Sequence, residues 1–335
     1  MSGDRQKQPL SDHQFGRTDL PDVQQKALKS AVHWEIFTMC YTTVTIAVVA
    51  LVVGNSQAMR TAWIEDMLSL TPQIAFLVAL IFVRRRPTLK HPYGLHRAMG
   101  VGHLVAGVAL LVIGANLAVE SIIGLIAGEH PTIGTVRIFG QTIWLGWLMV
   151  AVMVVVVVGP VFIYGPAKAR LAPVLHNKLL YADADMAKAD WQTNVASIVG
   201  VLGIGMGAWW LDGAAAIFIS LGIVWDGWRN TKGAVLDLMD QRATTHDDKS
   251  PHPLAGRIVQ ELRELRWVTD AGVRVRDLGQ VFQVEAFVVP ARKRVKVAEV
   301  EAASRMIAAL DWKMQDVSVI PVSVLPAEAD SSPLG

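Results

Sequence analysis

Six stretches of this chain are apolar over lengths that can cross a bilayer, near 33–54, 61–83, 99–126, 141–165, 179–210 and 212–230. Spanning hydrocarbon takes about 20 residues of helix. Backbone N–H and C=O groups there must be satisfied within the segment, so a run of this kind folds as a helix or as part of a closed barrel. Val154 to Val158 is β-branched and has the look of a buried strand, but the apolar run around it is far too long for one. Composition agrees with a membrane protein: 52% of the 335 residues are hydrophobic and 18% charged, against about a quarter charged in an ordinary soluble domain. A net charge of +2 is too small to argue for nucleic acid as a partner. The lone Cys40 forms no internal disulfide, and cysteine clusters for zinc are absent from the sequence. No cleavable leader is apparent, because the first apolar run is long enough to remain as a span.

Basic residues set the orientation. Arg84, Arg85, Arg86, Lys90 and Arg97 follow the second run; Lys168, Arg170 and Lys178 follow the fourth; Arg229 and Lys232 follow the sixth. Lys26 and Lys29 precede the first, and the opposite loops hold only Arg60 and Arg137. This bias predicts a multi-pass protein of the cell membrane with both termini in the cytoplasm. After residue 250 the pattern becomes that of a soluble domain. Leu254 to Leu265 has helical spacing, Gly272 to Leu278 and Val281 to Val289 alternate, Val297 to Leu310 is amphipathic, and Val317 to Val324 reads as a last strand. The expected organisation is a disordered segment 1–30, a six-helix transmembrane domain 31–232, a linker 233–253, a small ferredoxin-like α+β domain 254–326, and a disordered tail 327–335.

Two windows place acids inside apolar helices: Thr61-Ala-Trp-Ile-Glu-Asp-Met-Leu-Ser69 and Ala182-Asp-Ala-Asp-Met-Ala-Lys-Ala-Asp190. An ionisable group at membrane depth is costly and by default faces a bundle interior or a water-filled path. Helical spacing puts Asp183, Met186 and Asp190 on one stripe, prolonged by His176 if the helix starts that early. Glu65, Ser69 and Pro72 form another, with Asp66 about 100° around. Pro72 is positioned to free a backbone carbonyl near Ser69. Asp185 and Lys188 lie on a different face and are spaced to neutralise one another.

Several local motifs resemble the cation diffusion facilitator family over nearly the whole chain. They are Gly54-Asn-Ser-Gln-Ala58, His91-Pro-Tyr-Gly-Leu-His-Arg-Ala98, Ala182-Asp-Ala184 with Asp190, Trp210-Leu-Asp-Gly213 and Leu238-Met-Asp240. The resemblance implies a homodimeric exporter that exchanges a divalent cation for protons, with no permanent cofactor. By position it places ligands at Glu65 and Ser69 on the second helix and at Met186 and Asp190 on the fifth. Only Glu65 and Asp190 of these are strong hard-cation ligands, a departure from the His and Asp of many zinc-transporting members. An oxygen-rich shell completed by Ser69, Asp66 or Asp183 favours Mn²⁺, Fe²⁺, Co²⁺ or Mg²⁺, with Zn²⁺ still open. Met186 reads first as packing, Asp183 equally as a brace between helices, and His91 with His96 as a secondary site, though Leu95 stands where the family has its second histidine. The region Ala271 to Leu325 holds no histidine, which points to dimerisation rather than metal regulation. Two rival readings are a non-transporting, metal-responsive scaffold and a proton- or sodium-coupled transporter of another substrate. An embedded hydrolase lacks its nucleophile motifs.

Overall fold

The structure, a computed structural model, describes residues 20–138 and 140–330. Two compact units divide the chain: Gln24–Ala79 with Val101–Val235 form one, and the other includes Leu80–Gly100 and the chain from Leu236 onward.

Long helices make up the first unit. They are α1 (Asp22–Val52), α2 (Gln57–Val83), α3 (Ala98–Ile126), α4 (Leu145–Val156), α5 (Gly165–Leu175), α6 (Lys178–Gly205) and α7 (Trp210–Leu238). A π-helical turn, Gly159–Tyr164, separates α4 from α5. Among the described residues, five helical segments are long and apolar enough to cross a membrane, counting Leu145–Leu175 as one. α6 has the length, at 28 residues, but Lys178, Asp183, Asp185, Lys188 and Asp190 crowd its first half.

α1 shows why these helices belong in lipid. Its buried face runs Ala31, Glu35, Thr38, Thr42, Thr45, Val49 and Val52, every third or fourth residue. Ile36, Phe37, Val44, Val48 and Leu51 lie exposed on the remaining surface. A soluble helix buries its apolar stripe; this one buries hydroxyls and a carboxylate and turns its apolar side outward. The threonines are satisfied locally, Thr38 Oγ1 donating to Trp34 O at 2.7 Å and Thr45 Oγ1 to Thr42 O at 2.9 Å.

Several boundaries differ from expectation. α1 starts at Asp22, so residues 22–30 are helical rather than disordered; an acid in the first turn suits the positive end of the helix dipole. Residues 1–19 lie outside the described residues, as do 331–335. Residues 141–144 are a strand, not the start of the fourth span: β1 (Thr135–Ile138) and β2 (Gln141–Trp144) pair antiparallel. α7 continues to Leu238, so Arg229 and Lys232 are helical and the start of the expected linker is helix. His176 is not on α6. It is the left-handed cap of α5, with φ 41°, while Asn177 caps α6 by accepting from Leu180 N at 2.9 Å.

One buried acid fixes the start of α2. Asp212, fully buried at the head of α7, accepts from Ser56 Oγ and Gln57 N, each at 2.6 Å, and from Ala58 N at 3.3 Å. The first N–H groups of any helix lack intrahelical partners, and here a neighbouring helix supplies the acceptor.

The second unit holds α8 (Leu254–Arg263), β3 (Val268–Asp277), β4 (Phe282–Pro290), α9 (Val297–Ala308) and β5 (Met314–Pro321). Its sheet has the order β3-β4-β5, with β3 and β4 antiparallel and β4 and β5 parallel. That is the expected helix–strand–strand–helix–strand series, one strand short of a complete ferredoxin-like sheet. Leu254, Ile258, Val259 and Leu262 of α8 and Ala303 and Ile307 of α9 pack against Val273, Val275, Val284, Ala286 and Val288. The tail is not wholly irregular, because Asp330 bridges to Val273.

The β3–β4 turn closes with Leu278 N donating to Val281 O at 2.9 Å, and Gly279 at its tip has φ 97°. A Cβ on Gly279 would stand 2.8 Å from His96 O and 2.9 Å from Met99 Cβ, so the turn seats against the segment between α2 and α3. His96 is 2% exposed, and both ring nitrogens are buried without a hydrogen-bond partner. Burial, reinforced by the nearby Lys313 ammonium, pushes its imidazole down to about 4. Lys313 is itself buried and bonds Asp277 Oδ1 at 3.2 Å and Gly279 O at 2.8 Å.

We expect Asp212→Ala to lower stability by about 2–4 kcal/mol, measured as the midpoint of thermal unfolding in detergent. His96 gives a pH signature. Folded, it stays neutral down to about pH 4, whereas the unfolded chain takes up the proton near 6.5. Stability is therefore full above pH 6.5 and falls as pH drops toward 4, by roughly 3 kcal/mol. A pH series of unfolding midpoints checks this, and His96→Gln should flatten that part of the curve.

Candidate functional site

The acidic windows meet across α2 and α6. Thr193 of α6, one turn beyond Asp190, lies near the Glu65 side chain, and Asp190 lies within the electrostatic reach of Glu65 and Asp66. Glu65 Oε2 is buried and has no hydrogen-bond partner. A buried carboxylate oxygen left bare costs at least 1–3 kcal/mol by rough estimate. Tyr41 of α1 and Tyr164 of the π turn lie within the electrostatic reach of both Asp66 and Asp190.

Around the carboxylates run two polar stripes. On α6, Asp190, Thr193, Asn194 and Ser197 fall three or four apart on one face. Asn194 Nδ2 donates to Asp190 O at 2.8 Å, while Asn194 Oδ1 and Ser197 Oγ are buried without partners. On α2, Glu65, Ser69 and Gln73 line up, and Gln73 Oε1 is likewise buried and bare.

Other sequence-derived positions have separate surroundings. Ser69 Oγ donates to Asp66 O at 2.7 Å, a bond within its own helix. Met186 is 8% exposed and belongs to an apolar cluster with Leu68, Met153 and Ile219. Asp185 pairs with Arg229 of α7, not with Lys188, which is exposed. Asp183 pairs with Lys168 of α5, which also bonds Glu35 Oε2 of α1 at 3.0 Å. Lys168 is therefore no loop cation but a fully buried one. His91 is on the surface and His96 is buried. Among the described residues, no group of three or more His, Cys, Asp or Glu side chains is gathered so as to hold a metal ion.

Glu35, Lys168, Thr193 and the two tyrosines escaped the sequence reading. Glu35 carries the same signal as Glu65, an acid in an apolar run. Lys168 was hidden by its position just past the apolar part of the fourth span, which in the structure continues as helix to Leu175.

The fourth span is bent to admit Tyr41. Pro160 has no N–H, so Val156 O, four residues earlier, loses its helical donor; Tyr41 Oη donates to it at 2.9 Å. Gly159 leaves the room, since a Cβ there would stand 2.4 Å from Tyr41 Cζ. π-helical turns of this kind often occur at functional sites.

Long helices with lipid-compatible exteriors define a membrane protein. The sequence pattern of the cation efflux transmembrane domain matches residues 35–239, more than half of the chain. The chain belongs to the cation efflux family, whose members are divalent metal cation transporters rather than enzymes. It is 25% identical over 247 residues to an uncharacterized transporter of Bacillus subtilis, YdbO, covering 72% of this chain and 78% of that protein. It is 20% identical over 249 residues to the manganese efflux system protein MneS of the same organism, with the same coverage.

Gly159→Ala should displace Tyr41 and lower the thermal midpoint, with a cost of about 1–3 kcal/mol. Tyr41→Phe, which only bares Val156 O, should cost less than Gly159→Ala, and paired unfolding curves check the order.

Proposed function

We propose that this chain exports a divalent cation from the cytoplasm in exchange for protons, through a carboxylate site between α2 and α6, the second and fifth of six spans. The observation that carries this reading is the bare, buried Glu65 Oε2 on the side of α2 that faces Asp190. Two carboxylates that repel one another at membrane depth are stabilised by whatever positive charge lies between them. A divalent cation and protons compete for the same oxygens, because metal binding requires the deprotonated form. Exchange follows from that competition once rocking of helices exposes the site alternately to each side.

Asp66 is the first choice to complete the shell on α2, since Ser69 is occupied by its own backbone. Met186 packs, and Asp183 is held by Lys168, so neither is assigned to the ion. Oxygen ligands without histidine suit Mn²⁺, Fe²⁺, Co²⁺ or Mg²⁺. Manganese is the proposed first substrate, in line with the name of MneS. Orientation rests on Arg84, Arg85, Arg86 and Lys90, all exposed between α2 and α3. The soluble domain is proposed as a dimerisation element.

Proteoliposomes carrying the wild type should couple Mn²⁺ uptake to proton movement, and a non-transporting scaffold would give neither. Glu65→Ala and Asp190→Asn should each reduce that flux at least about tenfold, whereas Ser69→Ala should leave most of it. Wild-type rates in both carboxylate variants would remove this site from the mechanism.

A further inference from the structure

The Glu35–Lys168–Asp183 cluster has a chemistry that the α2–α6 site does not use. Lys168 Nζ is 0% exposed and lies between Glu35 Oε2, at 3.0 Å, and Asp183, with the Tyr164 ring centroid 5.5 Å away. Glu35 is also 0% exposed, and its second oxygen, Oε1, is buried without a hydrogen-bond partner. The ammonium thus leaves part of its anionic surroundings unsatisfied. Two carboxylates and one ammonium carry a formal net charge of −1, which a single divalent cation in place of the ammonium would neutralise.

Position ties this cluster to the transport site. Asp183 and Asp190 are seven residues apart on α6, two turns along one face and about 10 Å in rise. Asp190 feels the charges of both Asp183 and Lys168. Tyr164, beside the ammonium, is also within reach of Asp190 and Asp66. The short helix carrying Lys168 is bounded by irregular backbone at both ends, the π turn before Gly165 and the left-handed His176 after Leu175. These breaks separate the helix carrying Lys168 from α4 and from α6. Lysine suits such a role, as a compact charge on a flexible four-carbon stem.

We propose that Lys168 is a tethered stand-in cation occupying a second acidic station, formed by Glu35 and Asp183, from which a divalent ion moving toward Asp190 displaces it. The proposal rests on the reading that a divalent ion uses the α2–α6 site. It makes Lys168 a gate: the station holds either the ammonium or the metal.

Two measurements on the full chain test it. Amine acetylation of purified wild type, read at Lys168 by peptide mass spectrometry, should be slow without metal and rise about tenfold with saturating Mn²⁺. At Mn²⁺ concentrations below those that raise Lys168 labelling in wild type, Lys168→Met should bind one more Mn²⁺ per chain than wild type in equilibrium dialysis, and Glu35→Gln added to it should abolish the gain. Unchanged labelling, or unchanged stoichiometry in a Lys168→Met protein that still elutes as a folded species, overturns the proposal. Should that variant not fold, labelling of the wild type decides. Should wild type bind no Mn²⁺, the α2–α6 reading fails, while an extra site in Lys168→Met would still support the station and its absence would overturn it.

Discussion

Charge taken out of water has to be answered by other charge or by hydrogen bonds, and that requirement organises this molecule. Moving an isolated ion into a low-dielectric interior costs several kcal/mol by rough estimate even after relaxation. The buried ionic side chains are correspondingly grouped rather than scattered. Asp212 collects donors from the head of α2, Lys168 joins Glu35 to Asp183, and Lys313 takes Asp277. Glu65 and Asp190 stand apart from this pattern, since the charges that weigh most on them are carboxylates: Asp66 and Asp226 on Glu65, and Glu65 and Asp66 on Asp190. The charge of Asp212 is answered by N–H and O–H donors and that of Asp183 by an ammonium, whereas Asp190 is left chiefly among carboxylates.

The backbone irregularities serve the same division. A proline and a glycine in the fourth span open one turn, and Tyr41 enters that opening and satisfies the orphaned Val156 carbonyl. Tyr41 and Tyr164 then stand beside the carboxylates. α6, with its charges crowded into its first half, is fixed at its start by Asn177 and joined to α5 through the left-handed His176. A regular helix through 145–175 would have had no room for Tyr41 against Gly159.

Much of the architecture was legible from periodicity and composition. Apolar runs long enough to span could only be helices, and the helix–strand–strand–helix–strand order of the soluble domain followed from a change of period after residue 250. The hairpin turn between β3 and β4 requires the positive φ that Gly279 tolerates. Boundaries were less legible. The start of α1 at Asp22 and the end of α7 at Leu238 lie in polar sequence, where hydropathy has no voice. The β1–β2 hairpin was hidden by its short strands beside an apolar run.

For the candidate site, the sequence by itself determined that acids lie at membrane depth and which of them share a helical face, because helix geometry fixes the angle between residues on one element. Which acids have partners was decided only by the tertiary structure. Asp183 and Asp190 share a stripe on α6, yet one meets an ammonium and the other meets carboxylates. That difference comes from Lys168, 15 residues earlier in the chain than Asp183, and from Glu35, 133 residues before Lys168. Spacing along one helix carries no information about which side chain of another helix will face it; only packing supplies that.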